Sequence, residues 1–412
     1  MAQPLHVPSD RDAPPARLVP LGGATRPLRI LYVGQLAGTS LQRAEALRAL
    51  GHEVIHLPSS MPPASGSWRD VLVFQVFRAL HRIRRYPDVH FSNARTLRQA
   101  RRGGFDVLWV DKGLTLRPRT LRRVRALLPG ARLVSYSPDD MANPDNQSRR
   151  YLESLPLYDL HVTTKSFNVV ELQALGAREV LPVPNAFDPA VHRPLRLGPA
   201  ERLRFAADVG FVGHFEPERA ETMLELARRG IRVCVRGPGW RRFGRSHPNL
   251  RVHDEYLHRD DYARAVCATK INLGFLCKAN RDLQTTRSVE IPACGGFLLA
   301  ERTDEHRALF REGREAEFFG SFDELLSKCR HYLARDAERR RVARAGLRRC
   351  RLGGYSNQQR LARVLERVLE RPARGAKAGR APLPLPRLSR LSLSRRRPPS
   401  APRRGGPPSG SS

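Results

Sequence analysis

Along this chain, short apolar runs alternate with longer stretches whose apolar residues recur every three or four positions. The first run is Leu28-Arg29-Ile30-Leu31-Tyr32-Val33-Gly34, which reads as a buried strand. A loop from Gly34 to Gly38 follows, and Thr39 or Ser40 can then cap a helix with Leu41, Ala44, Leu47 and Leu50 on one face. Gly51 stands where helix ends favour glycine, and 52–57 is the next strand. Further apolar or β-branched runs come at 106–110, 133–137, 160–164 and 180–183, and the amphipathic stretch 166–175 ends at Gly176. Strands alternating with helices predict a parallel sheet covered on both faces.

The pattern breaks in the proline-rich stretch 182–199 and then starts again. Strand 209–212 leads to the loop Gly213-His-Phe-Glu, and Pro217 opens a helix carrying Ala220, Met223, Leu224 and Ala227. Gly230 closes that helix, strand 231–235 follows, and the run ends at Gly237-Pro-Gly239-Trp. Two such starts predict two Rossmann-like α/β domains. The expected divisions are a disordered N-terminus at 1–27, a first domain at 28–190, a linker at 191–204 and a second domain at 205–355. A helix at 356–371 is expected to cross back onto the first domain, ahead of a disordered tail at 372–412.

Composition changes this picture in three ways. Apolar residues make up 41% of the chain, low for a fully folded one, which fits unstructured ends. The net charge is +33, from 73 basic and 40 acidic residues, and such a surface attracts phosphate-bearing ligands, acidic headgroups and other polyanions alike. From Arg371 onward there are ten arginines and Lys377 with no carboxylate, so about a third of the excess belongs to the tail. The six cysteines fit neither a zinc site nor a disulfide framework. No secretory leader stands at the N-terminus, and no run approaches the roughly 18 apolar residues of a membrane span. The expected location is cytoplasmic, with peripheral contact to an acidic membrane as a further option.

The stretch 271–319 carries the chemistry. Within it, Arg287-Ser-Val-Glu290-Ile-Pro-Ala-Cys-Gly295-Gly296 and the following Glu301-Arg-Thr-Asp-Glu-His resemble the R-x-x-E-x-x-x-C-G-G signature and continuation of CgeB-like, group-one type glycosyltransferases. Asp208-Val-Gly-Phe-Val-Gly213 with Glu218-Arg219, residues 135–150 and Thr163-Thr-Lys-Ser are similar to other parts of the same family. The resemblance spans about 28–370 and is strongest in the second half. It implies the retaining GT-B architecture, two Rossmann-like domains facing across a cleft. The implied activity moves a sugar from a nucleoside-diphosphate donor to an acceptor hydroxyl.

In that superfamily a carboxylate-x7-Glu motif serves the donor, and Asp282 and Glu290 stand at its spacing. Glu290 is thereby assigned to the donor ribose and Asp282 to the transferred sugar, with Asp where the superfamily commonly has Glu. One ionised carboxylate can accept two hydrogen bonds from a ribose diol. The competing assignment makes Glu290 a helix cap and the Gly295-Gly296 pair a turn. Arg219, near a helix N-terminus, suits the leaving phosphate, while Lys278, Arg281 and Arg287 flank the carboxylate pair. Gly34, Gly38, Gly213 and Gly295 are candidates for close backbone approach to the donor, with a tight structural turn as the alternative.

Asp111, Asp139 and Asp140 end predicted strands, where an acceptor hydroxyl could be deprotonated, although Asx caps explain them equally well. The basic amphipathic stretch 71–84 suits an acidic membrane or acceptor, or simply a solvated helix face. No D-x-D motif occurs in the ordered part, Asp10-Arg-Asp12 lying in the N-terminal extension, so neither metal nor other cofactor is expected. Two readings compete with transfer. One is a polyanion- or nucleic-acid-binding protein, against which stand an aromatic content of 7% and a basic tail lacking aromatics. The other is a GT-B-fold nucleotide-sugar epimerase or an inactive homologue.

Overall fold

The computed structural model describes residues 26–59, 86–244 and 246–370, together with Val76 and Leu80. The N-terminal extension with Asp10 and Asp12, most of the stretch 71–84, and the basic tail lie outside the described residues.

Six strands build a first, all-parallel sheet: β1 (Arg29–Gly34), β2 (Glu53–Pro58), β3 (Val107–Asp111), β4 (Arg132–Ser137), β5 (Leu160–Thr163) and β6 (Val180–Pro182), in the order β2-β1-β3-β4-β5-β6. Alternation along β1 sorts its side chains between two layers. Ile30 and Tyr32 join Ala44 and Leu47 of the Gly38–Ala49 helix, while Leu31 and Val33 join Ala100, Leu121 and Val124 on the other face. The second sheet comprises β7 (Ala207–Val212), β8 (Val233–Arg236), β9 (Leu250–His253), β10 (Thr269–Gly274), β11 (Leu298–Glu301) and β12 (Glu317–Phe319), in the order β12-β11-β10-β7-β8-β9. It too is parallel and covered on both faces, which is why its strands are almost continuously apolar. Both sheets belong to a single compact unit.

The Asn357–Leu369 helix follows the second sheet in sequence but buries Leu361, Val364, Leu365 and Val368 in the core of the first. Burial of side chains of this size is worth about 1.5–3 kcal/mol each. Its start is fixed by a capping box between Ser356 and Gln359, and Arg367 pairs with Glu179 at 2.9 Å. Two details depart from the sequence reading. The Gly38–Ala49 helix has Ala37 at its N-cap and no side-chain cap; the Ser40 hydroxyl instead lies 3.4 Å from Tyr32 Oη. The segment read as a linker contains a helix, Pro199–Phe205. Pro199 opens it, and Glu201 accepts from the Gly198 N–H at 2.9 Å. Phe205 anchors it against Leu257 and Ala265. Among the described residues no helix is long and apolar enough to cross a membrane.

Candidate functional site

Strand order reverses once in each sheet, between β1 and β3 and between β7 and β10. The crevice outside the carboxyl ends of such strand pairs is where open α/β sheets take ligands. At the second reversal the chain leaves β7 through Gly213. A Cβ there would stand 2.6 Å from the Phe211 ring and 3.5 Å from Arg287 Nη1, so glycine is required for the turn and opens the approach to Arg287. Trp240 Nε1 donates to the Gly213 carbonyl at 2.9 Å and holds that turn.

Two arginines meet over Phe211, with guanidinium carbons 5.5 Å (Arg219) and 5.3 Å (Arg287) from the ring centroid. Arg219, in the first turn of the Pro217–Arg228 helix, is buried and donates to the carbonyls of His214 (3.2 Å) and Leu276 (3.0 Å), while Glu216 lies 2.9 Å away. Arg287, opening the Arg287–Ala293 helix, donates to the Phe275 carbonyl at 3.0 Å. The Nε–H of each is buried without a hydrogen-bond partner. Burial, followed by the Arg287 charge, lowers the Arg219 pKa from its ordinary value. His214, at the mouth of the site, is lowered by loss of hydration and then by Arg287 and Arg219. Glu216, and after it Glu301, offset part of the positive charge on Arg219 without restoring its ordinary pKa.

One helical turn beyond Arg287, the buried Glu290 carboxylate faces His192 Nε2 at 3.6 Å and the Tyr262 hydroxyl, whose pKa is pushed well up by burial and by Glu290. His192 Nδ1 accepts the Asp188 N–H at 2.9 Å, so the neutral ring carries its proton on Nε2, toward Glu290. His306 fixes this helix from behind. Its Nδ1 lies 2.6 Å from the Glu301 carbonyl and its Nε2 2.7 Å from Ser288 Oγ, and burial lowers its pKa to about 4.

The other predicted residues divide between the two halves. Asp282 is buried in an ion pair with Lys165 from the first half, and also accepts from Asn280 Nδ2 (2.8 Å) and the Cys277 N–H (3.3 Å). Arg281 does not join the arginine pair. Held in the left-handed region (φ 45°), it reaches the first half, where Asp140 and Glu171 take its donors at 2.6–2.9 Å and Phe167 stacks beneath it. Asp140 is its buried partner. Burial raises its pKa, but the hydrogen bonds from Arg281 and Asn168 outweigh that and hold it below the ordinary value.

Asp111 is likewise no open carboxylate, because it accepts from Tyr32 Oη (2.6 Å) and from Arg43 Nη2 (2.6 Å) and Nε (3.1 Å) in a buried cluster. Gly34 serves this cluster: a Cβ there would lie 2.5 Å from Ser40 Oγ and 3.0 Å from Asp111 Cβ. Gly295 (φ 76°) turns the chain after the Arg287–Ala293 helix, against Pro194 and Leu347. Gly38 faces open space, Asp139 pairs with Lys112 where both are partly exposed, and the exposed Lys278 pairs with Glu218.

Lys165, His192, His214 and Tyr262 were not singled out by sequence reasoning. Lys165 and His214 lie inside stretches already marked, Thr163-Thr-Lys-Ser and the Gly213 loop. His192 and Tyr262 carry no local signal.

Residues 219–366 match a family model described as glycosyl transferase-like, a span that takes in Arg219, Asp282, Arg287 and Glu290. No curated protein matches the chain. Among solved structures, HepE from Anabaena in complex with UDP and glucose superposes with a TM-score of 0.58 at 13% identity, over 82% of this chain and 100% of that one. Sucrose-phosphate synthase from Thermosynechococcus elongatus gives 0.58 at 12% identity, over 83% and 99%. A glycosyltransferase from Rickettsia africae gives 0.52 at 11%, over 84% and 98%. With the two parallel sheets, these likenesses define the GT-B fold.

Proposed function

We propose that this chain is a glycosyltransferase, which moves a sugar from a nucleoside-diphosphate donor to an acceptor hydroxyl with retention of configuration and without a metal. The observation that carries the reading is the Arg219–Arg287 pair over Phe211, two guanidiniums whose Nε–H groups have no hydrogen-bond partner among the described residues, at a strand reversal of a GT-B fold. The family match over 219–366 and the UDP bound in HepE support the same class of donor.

When the bond from the anomeric carbon to the diphosphate breaks, negative charge grows on the phosphate oxygens. Guanidiniums already fixed by the Phe275, Leu276 and His214 carbonyls stabilise that charge without reorganising. Glu290, one turn away, accepts from the ribose hydroxyls, and the departing phosphate takes the acceptor proton on the same face of the sugar. Asp282, whose oxygens are engaged by Lys165, Asn280 and Cys277, shapes the sugar side and joins the halves; it does not exchange a proton. Asp139 is the remaining acceptor-side carboxylate.

A thermal-shift panel of nucleoside diphosphates and their sugars identifies the donor, since a ligand of the folded state raises its apparent stability. Glu290→Ala then abolishes transfer and weakens nucleotide binding at least tenfold, and wild-type activity survives EDTA. Unchanged transfer in Glu290→Ala refutes the site. Interconversion of the donor sugar without acceptor would instead identify an epimerase.

A further inference from the structure

The Ser92–Arg102 and Pro118–Leu127 helices lie side by side on one face of the first sheet, remote in sequence from the arginine pair. Their inward residues, Thr96, Ala100, Leu121 and Val124, are buried. Outward, Arg95, Arg98, Arg101 and Arg102 on one helix and Arg119, Arg122 and Arg123 on the other are all exposed. Neither helix contains a single Asp or Glu. Arg125, the eighth arginine, is neutralised by Asp159 at 2.9 Å, whereas among the described residues Arg102 donates to the neutral Gln99 at 3.3 Å.

An ordinary solvated helix face mixes both signs, because like charges at i,i+3 and i,i+4 repel. Arg95, Arg98, Arg101 and Arg102 stand at those spacings with no acidic neighbour on their own helix to offset them. The face is therefore built for an anionic partner and is costly without one.

We propose that this two-helix face docks on an anionic lipid bilayer. Three features favour a bilayer over a nucleic acid. Helices of 11 and 10 residues, about 15 Å long and packed about 10 Å apart, make a broad layer with no groove to track a strand. At its edge Phe91, held in the left-handed region (φ 52°), is 69% exposed; a single ring suits the headgroup boundary, whereas single-stranded nucleic acid needs a series of stacking platforms. Beside that ring Phe91, Ala94, Arg95, Arg98 and Arg101 line an open, shallow depression in the surface, where phosphate-bearing headgroups can meet three guanidiniums. The Phe91 edge adjoins the carboxyl end of the first sheet, where Ser92 Oγ donates to the Pro58 carbonyl at 2.9 Å. Docking therefore brings the acceptor side of the molecule to the membrane.

The full chain is tested by flotation with phosphatidylcholine vesicles, with and without 30% phosphatidylglycerol. The basic tail also attracts anions, so two full-length variants are compared. One carries R95Q, R98Q, R101Q, R119Q, R122Q and R123Q; the other has every arginine beyond residue 371 replaced by Gln. The first is expected to lose at least tenfold in affinity for anionic vesicles at unchanged circular dichroism, and the second less than threefold. Phe91→Ser is expected to make the binding more salt-sensitive. Equal binding to neutral vesicles, undiminished binding by the patch variant, or a loss confined to the tail variant overturns the proposal. So does a patch variant that loses binding to a single-stranded DNA oligonucleotide but not to vesicles.

Discussion

The two strand reversals use one topology to opposite ends. At the first, between β1 and β3, Asp111 takes both Arg43 and Tyr32, and the Tyr136 ring lies 4.3 Å from the Arg43 guanidinium carbon, so every charge is answered within the protein. At the second, between β7 and β10, Arg219 and Arg287 share one ring, and although Glu216 and Glu301 act on Arg219, burial and the Arg287 charge still hold its pKa below the ordinary value. A reversal of strand order creates a crevice in both places, but only an unmet charge turns one of them into a site. Fold supplies the location; electrostatic balance decides whether anything binds there.

The sharpest way to break the comparison is to unbalance the first reversal. Asp111→Ala leaves Arg43 buried without its counter-ion, which costs about 3–5 kcal/mol of stability, measured as a lower urea midpoint. Replacing Arg43 and Asp111 together by Met and Leu recovers most of that loss. Nucleotide affinity in the double variant should match wild type; a large drop would mean that the first crevice also contacts the donor. Conversely, Arg287→Ala leaves stability within about 1 kcal/mol, because the half-buried side chain gives up one carbonyl bond, but lowers kcat/KM about 10²–10³-fold. If Arg287→Ala unfolds the protein and leaves transfer intact in the folded fraction, the two reversals do not differ in the way described.

This contrast also separates what was readable in the sequence from what was not. The repeated start at Leu28 and Val209 announces two parallel sheets because burial on both faces forces continuous apolar strands. Glycine positions such as Gly51, Gly176 and Gly230 mark helix ends because each adopts positive φ. Glu290 came from the carboxylate-x7-Glu spacing, Arg287 from its place beside that pair and Arg219 from a helix N-terminus, and Arg219 and Arg287 meet at the second reversal with Glu290 one helical turn beyond Arg287. For Asp111 and Asp140, read from strand ends, and Arg281, read as flanking the carboxylate pair, the structure shows partners that the sequence did not announce. Their partners are 68, 141 and 110 residues away, for Arg43, Arg281 and Glu171 in turn, and no local pattern reports a pairing across that distance. A carboxylate at a strand end looks identical whether it is open or already claimed. The Pro199–Phe205 helix was missed for a related reason: its one anchoring residue, Phe205, is invisible among charged neighbours until Leu257 and Ala265 are brought against it.

The smallest effect tests whether the second reversal is cationic by degree. His214 is lowered from its ordinary value by lost hydration and by the charges of Arg287 and Arg219; Glu216 raises it, and Tyr256 packs edge-on at 6.0 Å. In the free protein the folded state therefore binds fewer protons at His214 than the unfolded chain does, so its contribution to stability is present above about pH 6.5 and is lost as pH falls below that value. A bound diphosphate offsets the two arginines and lets His214 take up a proton, and by reciprocity acidification then favours binding. The nucleotide's own terminal phosphate protonates near pH 6 and works the other way, so the wild-type curve alone is uninformative. The ratio of dissociation constants, His214→Gln over wild type, removes that shared term. Titration calorimetry between pH 8 and 6 should show this ratio rising about threefold as the pH falls; a flat ratio would mean that no phosphate reaches the mouth of the Arg219–Arg287 cluster.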